Sequence, residues 1–239
     1  MDRKTLPYLM PVRSIIFPLI FLVGAGLVNK RIDEISNWWS VTDTIVNLLT
    51  IAMLIFAARS TGQTFAELIG YKKGQTKVSQ VVIVSVVILV LGMGGMFLAG
   101  FLCYGVIPYA PPMVIAPIPV VLAAVNIPLL PITTAFAEDG LYLGCGVNNI
   151  KNKYAAVLVP ALFYALQHSF IPTLFDVRYI LYRFLSFLPL TVILCAYYYK
   201  KRDPVPIMIG HTIIDVATVA QIMATSAIPG FYDMMCGMA

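Results

Sequence analysis

The chain has 239 residues, of which 60% are apolar and only 11% charged, and its mean hydropathy is +0.88. Soluble domains carry about 45–50% apolar and about 25% charged residues, so this composition excludes an ordinary water-soluble globule and points to a chain embedded in lipid. The formal net charge of +5 asks for no nucleic-acid partner, because the basic residues gather at the ends of apolar runs.

Apolar runs near residues 14–28, 41–58, 79–100, 118–143, 154–172, 179–199 and 205–225 predict membrane-spanning helices. At about 20 residues per crossing, the fold class is an all-α polytopic transmembrane bundle of about seven or eight spans. No linker or composition shift divides the chain, so residues 1–239 read as one integral-membrane domain with a motif-bearing core near 125–225. The first run has no small-residue cleavage site after it and reads as a retained anchor. The stretch from Phe101 to Pro119 has room for an extra interfacial piece.

Charge placement orients the bundle. With the N-terminus inside, the inner segments hold Arg3, Lys4, Arg13, Arg59, Lys72, Lys73, Lys77, Lys151, Lys153, Lys200, Lys201 and Arg202, against Lys30, Arg31, Arg178 and Arg183 outside. Positive-inside topology then predicts a cytoplasmic N-terminus in a cell membrane and, for seven spans, an external C-terminus. Cys103, Cys145, Cys195 and Cys236 show no CxxC spacing and read as small apolar filling.

Three polar motifs interrupt the apolar runs. A charged group at bilayer depth costs roughly 3 kcal/mol on insertion scales, so such residues face a protein interior or a water-filled cavity. Glu138-Asp139 is the first. Adjacent carboxylates in an apolar helix repel and are poorly solvated, which suits a group that exchanges a proton near neutral pH. The alternative is a helix end with both acids at headgroup level. The second motif is Tyr164 with His168, i,i+4 neighbours on one face; the tyrosine hydroxyl could fix the histidine tautomer, or the ring could pack beneath it. The third is His211 with Asp215, again i,i+4, on a helix that Asp203-Pro204 would start. An imidazole beside a carboxylate serves acid-base chemistry, metal binding or a purely structural cluster. On helix rise alone His168 lies about 21 Å into its span and looks deeper than Glu138 or His211.

In order and spacing these motifs resemble the CPBP family of intramembrane proteases, which includes CAAX prenyl endopeptidases and bacteriocin self-immunity and abortive-infection proteins. The family pattern is Glu-Glu-x-x-x-Arg, Phe-x-x-x-His and His-x-x-x-Asn/Asp on three membrane helices. The resemblance implies that Glu138 is the catalytic glutamate, that His168 helps to activate water, and that His211 and Asp215 stabilise the oxyanion, with Asp139 and Tyr164 in support. It also implies endopeptidase activity on a membrane-bound or lipid-anchored peptide, admitted laterally or from the inner face, with the lipid bilayer as the other partner. Asp139 stands for the second glutamate and Tyr164 for phenylalanine. Leu143 stands where the family has arginine, so the motif lacks its cation unless Arg178 or Arg183 supplies one.

Two other function classes fit the same residues. One is a non-catalytic membrane immunity or scaffold protein that retains the polar cluster; the other is a proton-relaying transporter, against which the lack of visible inverted repeats counts. No cofactor is expected. A two-histidine, one-carboxylate zinc set of Glu138, His168 and His211 would need ligands from three helices, there being no HExxH, and a metal-free glutamate mechanism is preferred.

Overall fold

The computed structural model describes residues 2–106 and 114–237, and the described residues are helical with no strand. A 3-10 segment (Arg3–Leu9) leads into α1 (Val12–Val28). Then follow α2 (Trp39–Ser60), α3 (Val78–Tyr104), α4 (Val120–Thr134), α5 (Lys153–His168), α6 (Val177–Lys201), α7 (Val205–Ala227) and the short α8 (Phe231–Gly237). Six helices among the described residues are long and apolar enough to cross a membrane, and α5, at 16 residues, is a shorter member of the same bundle. The polytopic helical bundle read from the sequence is therefore the fold. The interfacial piece expected between Phe101 and Pro119 falls partly on 107–113, outside the described residues.

Prolines and glycines shape the helix that matters most. Pro128 and Pro131 lie inside α4, and each removes a backbone donor. The threonines that follow bond back to their own helix: Thr133 Oγ1 donates to Leu129 O at 2.7 Å and Thr134 Oγ1 to Leu130 O at 2.8 Å. Immediately after, the chain widens into a π-helix over Ala135–Val147, which contains Glu138-Asp139. Such geometry is rare and concentrates at functional sites. Gly140 and Gly146 let neighbours close on this segment, since a Cβ would lie 2.9 Å from Leu54 Cδ1 at Gly140 and 2.7 Å from Met10 Sδ at Gly146.

The helices run antiparallel in sequence, so the turns at 61–77, 148–152 and 202–204 meet at one end of the bundle. They are tied together there by polar contacts. Asn148 Nδ2 donates to Leu68 O at 2.9 Å and to the Tyr198 hydroxyl at 2.7 Å, and that hydroxyl donates to Ile69 O at 2.7 Å. Arg202 Nη1 donates to Asn148 Oδ1 at 2.5 Å, Gln75 Nε2 to Lys201 O at 3.0 Å, and Thr76 Oγ1 to Asp203 Oδ1 at 3.1 Å. Asp203 also accepts from Val205 N–H at 3.2 Å, so it caps α7 from one residue further out than the Asp203-Pro204 reading placed it.

Candidate active site

All three motifs converge in the interior. The π-helix brings in Glu138 and Asp139, the last turn of α5 brings Tyr164 and His168, and the second turn of α7 brings His211 with Asp215 beyond it. Glu138 and Asp139 are each 1% exposed and lie within a helical segment, so the pair is not a solvent-facing helix end. The apparent depth mismatch does not keep His168 from Glu138: their side chains come within 3.7 Å. His168 is the last helical residue of α5, and the chain turns at once into a non-helical segment. Irregular backbone at that depth is tolerated where protein buries it; Ser169 and Thr173 are fully buried, and Arg183 donates to the carbonyls of His168 (3.2 Å) and Ile171 (2.6 Å).

The two oxygens of Glu138 have different surroundings. Oε1 accepts from Arg13 Nη2 at 3.0 Å. Oε2 has no hydrogen-bond partner among the described residues and faces His168 Nε2 at 3.7 Å and His211 Nε2 at 3.9 Å. His168 Nδ1 lies 2.8 Å from Tyr164 O. A carbonyl can only accept, so Nδ1 carries the proton and the neutral ring turns its Nε2 lone pair toward Glu138. The ring plane is fixed by stacking, with Phe187 on one side (centroids 3.7 Å apart) and Tyr164 on the other (5.9 Å).

The Tyr164 hydroxyl does a different job from either role expected of it. It donates to Asp139 Oδ1 at 2.9 Å and stands 3.1 Å from His211 Nδ1. Having one proton and spending it on Asp139, it accepts from His211 Nδ1–H. Asp139 Oδ2 is 3.4 Å from the same nitrogen. His211 is therefore held by Nδ1, and its Nε2 points between Glu138 and Asp215 Oδ2, which is 3.7 Å away. Asp139, shorter than the family's glutamate, still reaches its partner.

The missing cation is present, and it comes from outside the motif. Arg13, read from the sequence as an inner flanking charge, is fully buried in the middle of the bundle. Its five N–H donors meet five acceptors: Nε to Gln167 Oε1 (2.5 Å), Nη1 to Asn47 Oδ1 (2.7 Å) and Thr50 Oγ1 (3.3 Å), and Nη2 to Asp43 Oδ1 (2.9 Å) and Glu138 Oε1. Neither Arg183, which caps α5, nor Arg178, which lies over the Tyr104 ring, supplies this charge. Leu143 packs in an apolar cluster with Ala161, Leu190 and Leu194. Asp43, Asn47 and Thr50 went unread in the sequence although their i, i+4, i+7 spacing puts them on one face of α2.

A cavity of about 300 Å³ reaches Glu138, His168, His211 and Asp215. As for a metal, no group of three histidine, cysteine or carboxylate side chains placed to share an ion occurs among the described residues. The two imidazoles of the set expected for zinc, His168 and His211, both approach Oε2 of its carboxylate member, Glu138.

Residues 120–217 match the family model for type II CAAX prenyl endopeptidases, Rce1-like. This stretch is similar to the Rce1-like family. The match agrees with the resemblance read from the motifs, and the family it points to is one of CAAX-type intramembrane proteases. The matched stretch holds every sequence-read site residue, from Glu138 to Asp215, but not Arg13, Asp43, Asn47 or Thr50. Comparison with curated proteins and with solved structures gave no match.

Proposed function

We propose that this Rce1-like chain is an intramembrane endopeptidase that hydrolyses a peptide bond of a membrane-bound or lipid-anchored substrate with water activated by Glu138. The observation that carries this reading is the approach of two imidazole Nε2 atoms, at 3.7 and 3.9 Å, to a single unpartnered carboxylate oxygen whose twin is tied to an arginine. Arg13 holds the carboxylate in place and leaves Oε2 to accept a proton from water as the water oxygen attacks the scissile carbonyl carbon. His168 Nε2 accepts the second water hydrogen and aims the attacking lone pair. His211, as an imidazolium with Asp139 on Nδ1, donates from Nε2 to the developing oxyanion, and Asp215 steadies that charge. Asp215 acts through His211, since an ionised carboxylate has no proton to offer an oxyanion. The proton taken by Glu138 then goes to the leaving amine as the C–N bond breaks.

The test compares membrane proteomes of cells carrying the wild-type chain and Glu138→Gln. The amide keeps the shape and cannot take the proton, so uncut substrate should accumulate and purified activity should fall on the order of 10³-fold. Full cleavage by purified, folded Glu138→Gln would overturn the reading and favour the non-catalytic immunity or scaffold role. Activity that survives rigorous metal removal would fit the metal-free route; loss reversed only by added zinc would contradict it.

A further inference from the structure

His168 stands in a column of stacked side chains drawn from three helical segments. Its ring lies between Tyr164 (centroids 5.9 Å apart, planes inclined by 24°) and Phe187 (3.7 Å, 14°), and Tyr142 stacks in turn on Tyr164 (4.5 Å, 18°). An arginine closes each end. The Tyr142 hydroxyl donates to Gln167 Oε1 at 3.1 Å, the oxygen that also accepts from Arg13 Nε. At the other end the Arg183 guanidinium lies over the Phe187 ring, 4.9 Å from its centroid. Arg13 answers to the charges of Glu138 and Asp43. Arg183 has no such counterpart: among the described residues no carboxylate pairs with it. Its donors go to the carbonyls of His168 and Ile171 instead. A cation inside a membrane bundle is costly, so one that pairs with no acid calls for a reason.

Resting on the proposed peptidase, we infer that Arg183 is a positioning residue that sets the plane and reach of the His168 ring, acting through Phe187 and through the end of α5. His168 needs that support because it is the last helical residue of α5. There the backbone carbonyls lose their intrahelical partners, and helix ends fray. The imidazole also turns about a torsion with broad, roughly two-fold wells. A half-turn exchanges Nδ1 with Cδ2 and takes Nε2 away from Glu138 Oε2. The Nδ1–H bond to Tyr164 O resists that half-turn, but it is made within one turn of the same helix and moves with the fraying end. Arg183 ties this end to a different helix. Its Nε and Nη2 grip the carbonyls of His168 and Ile171, while the guanidinium covers Phe187, its i,i+4 neighbour on α6. One side chain thereby fixes both the backbone that carries the imidazole and the ring stacked against it. The planar fork of arginine can do both at once, and the point charge of a lysine cannot. Arg183 also lines the cavity that reaches Glu138, so the competing role is direct contact with an anionic part of a substrate.

The chain has two histidines, so nitrogen-15 NMR of the imidazole rings in the full-length protein, held in lipid nanodiscs, reads His168 directly; His211→Gln assigns the signals that remain. The wild type should show His168 as one neutral tautomer with its proton on Nδ1. In Arg183→Gln the ring signals should average over both tautomers. Peptide cleavage should lose on the order of 10²-fold in kcat with KM little changed, since misplacing a reacting group by about 1 Å costs that much. Phe187→Leu removes the stacked ring and leaves the Arg183 bonds to the carbonyls in place. It should act in the same direction, which keeps the inference testable where Arg183→Gln fails to fold. Arg183→Lys should fall between the wild type and Arg183→Gln in both readouts. An unchanged tautomer or an unchanged kcat in folded Arg183→Gln would overturn the inference. A raised KM with kcat and tautomer unchanged would do so by making Arg183 a contact for an anionic part of the substrate. The tautomer is read without turnover, so a chain that cuts nothing would sink the peptidase reading and still leave the tie between Arg183 and His168 measured.

Discussion

The family-matched stretch and the first two spans contribute opposite kinds of group to one site. Residues 120–217 bring both histidines and the carboxylates Glu138, Asp139 and Asp215. The region before it brings the guanidinium and most of the acceptors that hold it: Arg13 from α1, and Asp43, Asn47 and Thr50 from α2. Within the matched stretch the position proper to a cation is filled by Leu143, packed against α5 and α6. The guanidinium that meets Glu138 comes from outside that stretch. A motif read along one segment records which atoms are needed less faithfully than the space around those atoms does.

That contrast can be broken in order of expected effect. Arg13→Met should be the most damaging change outside the motifs. It leaves Asp43 and Glu138 buried without a counter-charge, and removing one partner of a buried pair costs about 3–5 kcal/mol; thermal unfolding in lipid or detergent would measure it. Arg13→Lys should be intermediate in stability and activity, because an ammonium offers three donors where five acceptors wait. Adding Leu143→Arg to Arg13→Met should not restore the protein, since the new side chain starts from the α3–α6 side of the helix among Val84, Ile88 and Leu190. Restored folding and cleavage in that double variant would show that the two positions are equivalent after all.

Tyr164→Phe sharpens the comparison inside the matched stretch. It returns the aromatic type of the family motif but removes the hydroxyl between Asp139 and His211. Loss of one buried hydrogen-bonding partner costs about 1–3 kcal/mol, so cleavage should fall about tenfold. The stacking on His168 survives in this variant, and an unchanged rate would mean that Asp139 alone orients His211. The smallest effect lies at the end where the turns at 61–77, 148–152 and 202–204 meet. Glu67 accepts from the N–H and hydroxyl of Thr64 at 2.7 and 2.9 Å, which hold its carboxyl below the usual glutamate range. A lowered pKa means that this cap is fully present above the unfolded value of about 4.3 and is lost as pH falls through the lower folded value. Hydrogen exchange over residues 64–70 should therefore quicken only in strong acid, and Glu67→Gln should remove that pH dependence while leaving cleavage unchanged.

The site acids and histidines were legible because ionisable residues in apolar runs have few bland explanations. Arg13 was not, because an arginine at the start of an apolar run looks like an ordinary flank. The Arg3–Leu9 3-10 segment lengthens the first crossing on its N-terminal side and carries Arg13 to mid-bundle, which a hydropathy trace cannot show. Asp43 was lost in the same way, two residues inside the expected edge of its span, although its spacing to Asn47 and Thr50 was a usable sign. His168 was placed correctly in sequence, and its apparent depth did not keep it from Glu138, since helix rise counts from an end whose level was assumed. The π geometry of Ala135–Val147 left only an indirect trace, in the two prolines before it.

The five-way grip on Arg13 also bears on how the chain enters a bilayer. The crossing that carries this guanidinium, costly in lipid, precedes the one that carries Asp43, the first of its carboxylate partners along the chain. Those two helices can enter the bilayer as a charge-balanced hairpin, and Glu138 joins only when the fourth crossing arrives. The family-matched stretch is therefore not a portable module: grafted or expressed without the Arg13 hairpin, it would carry a complete set of motif residues around a carboxylate that has lost its arginine.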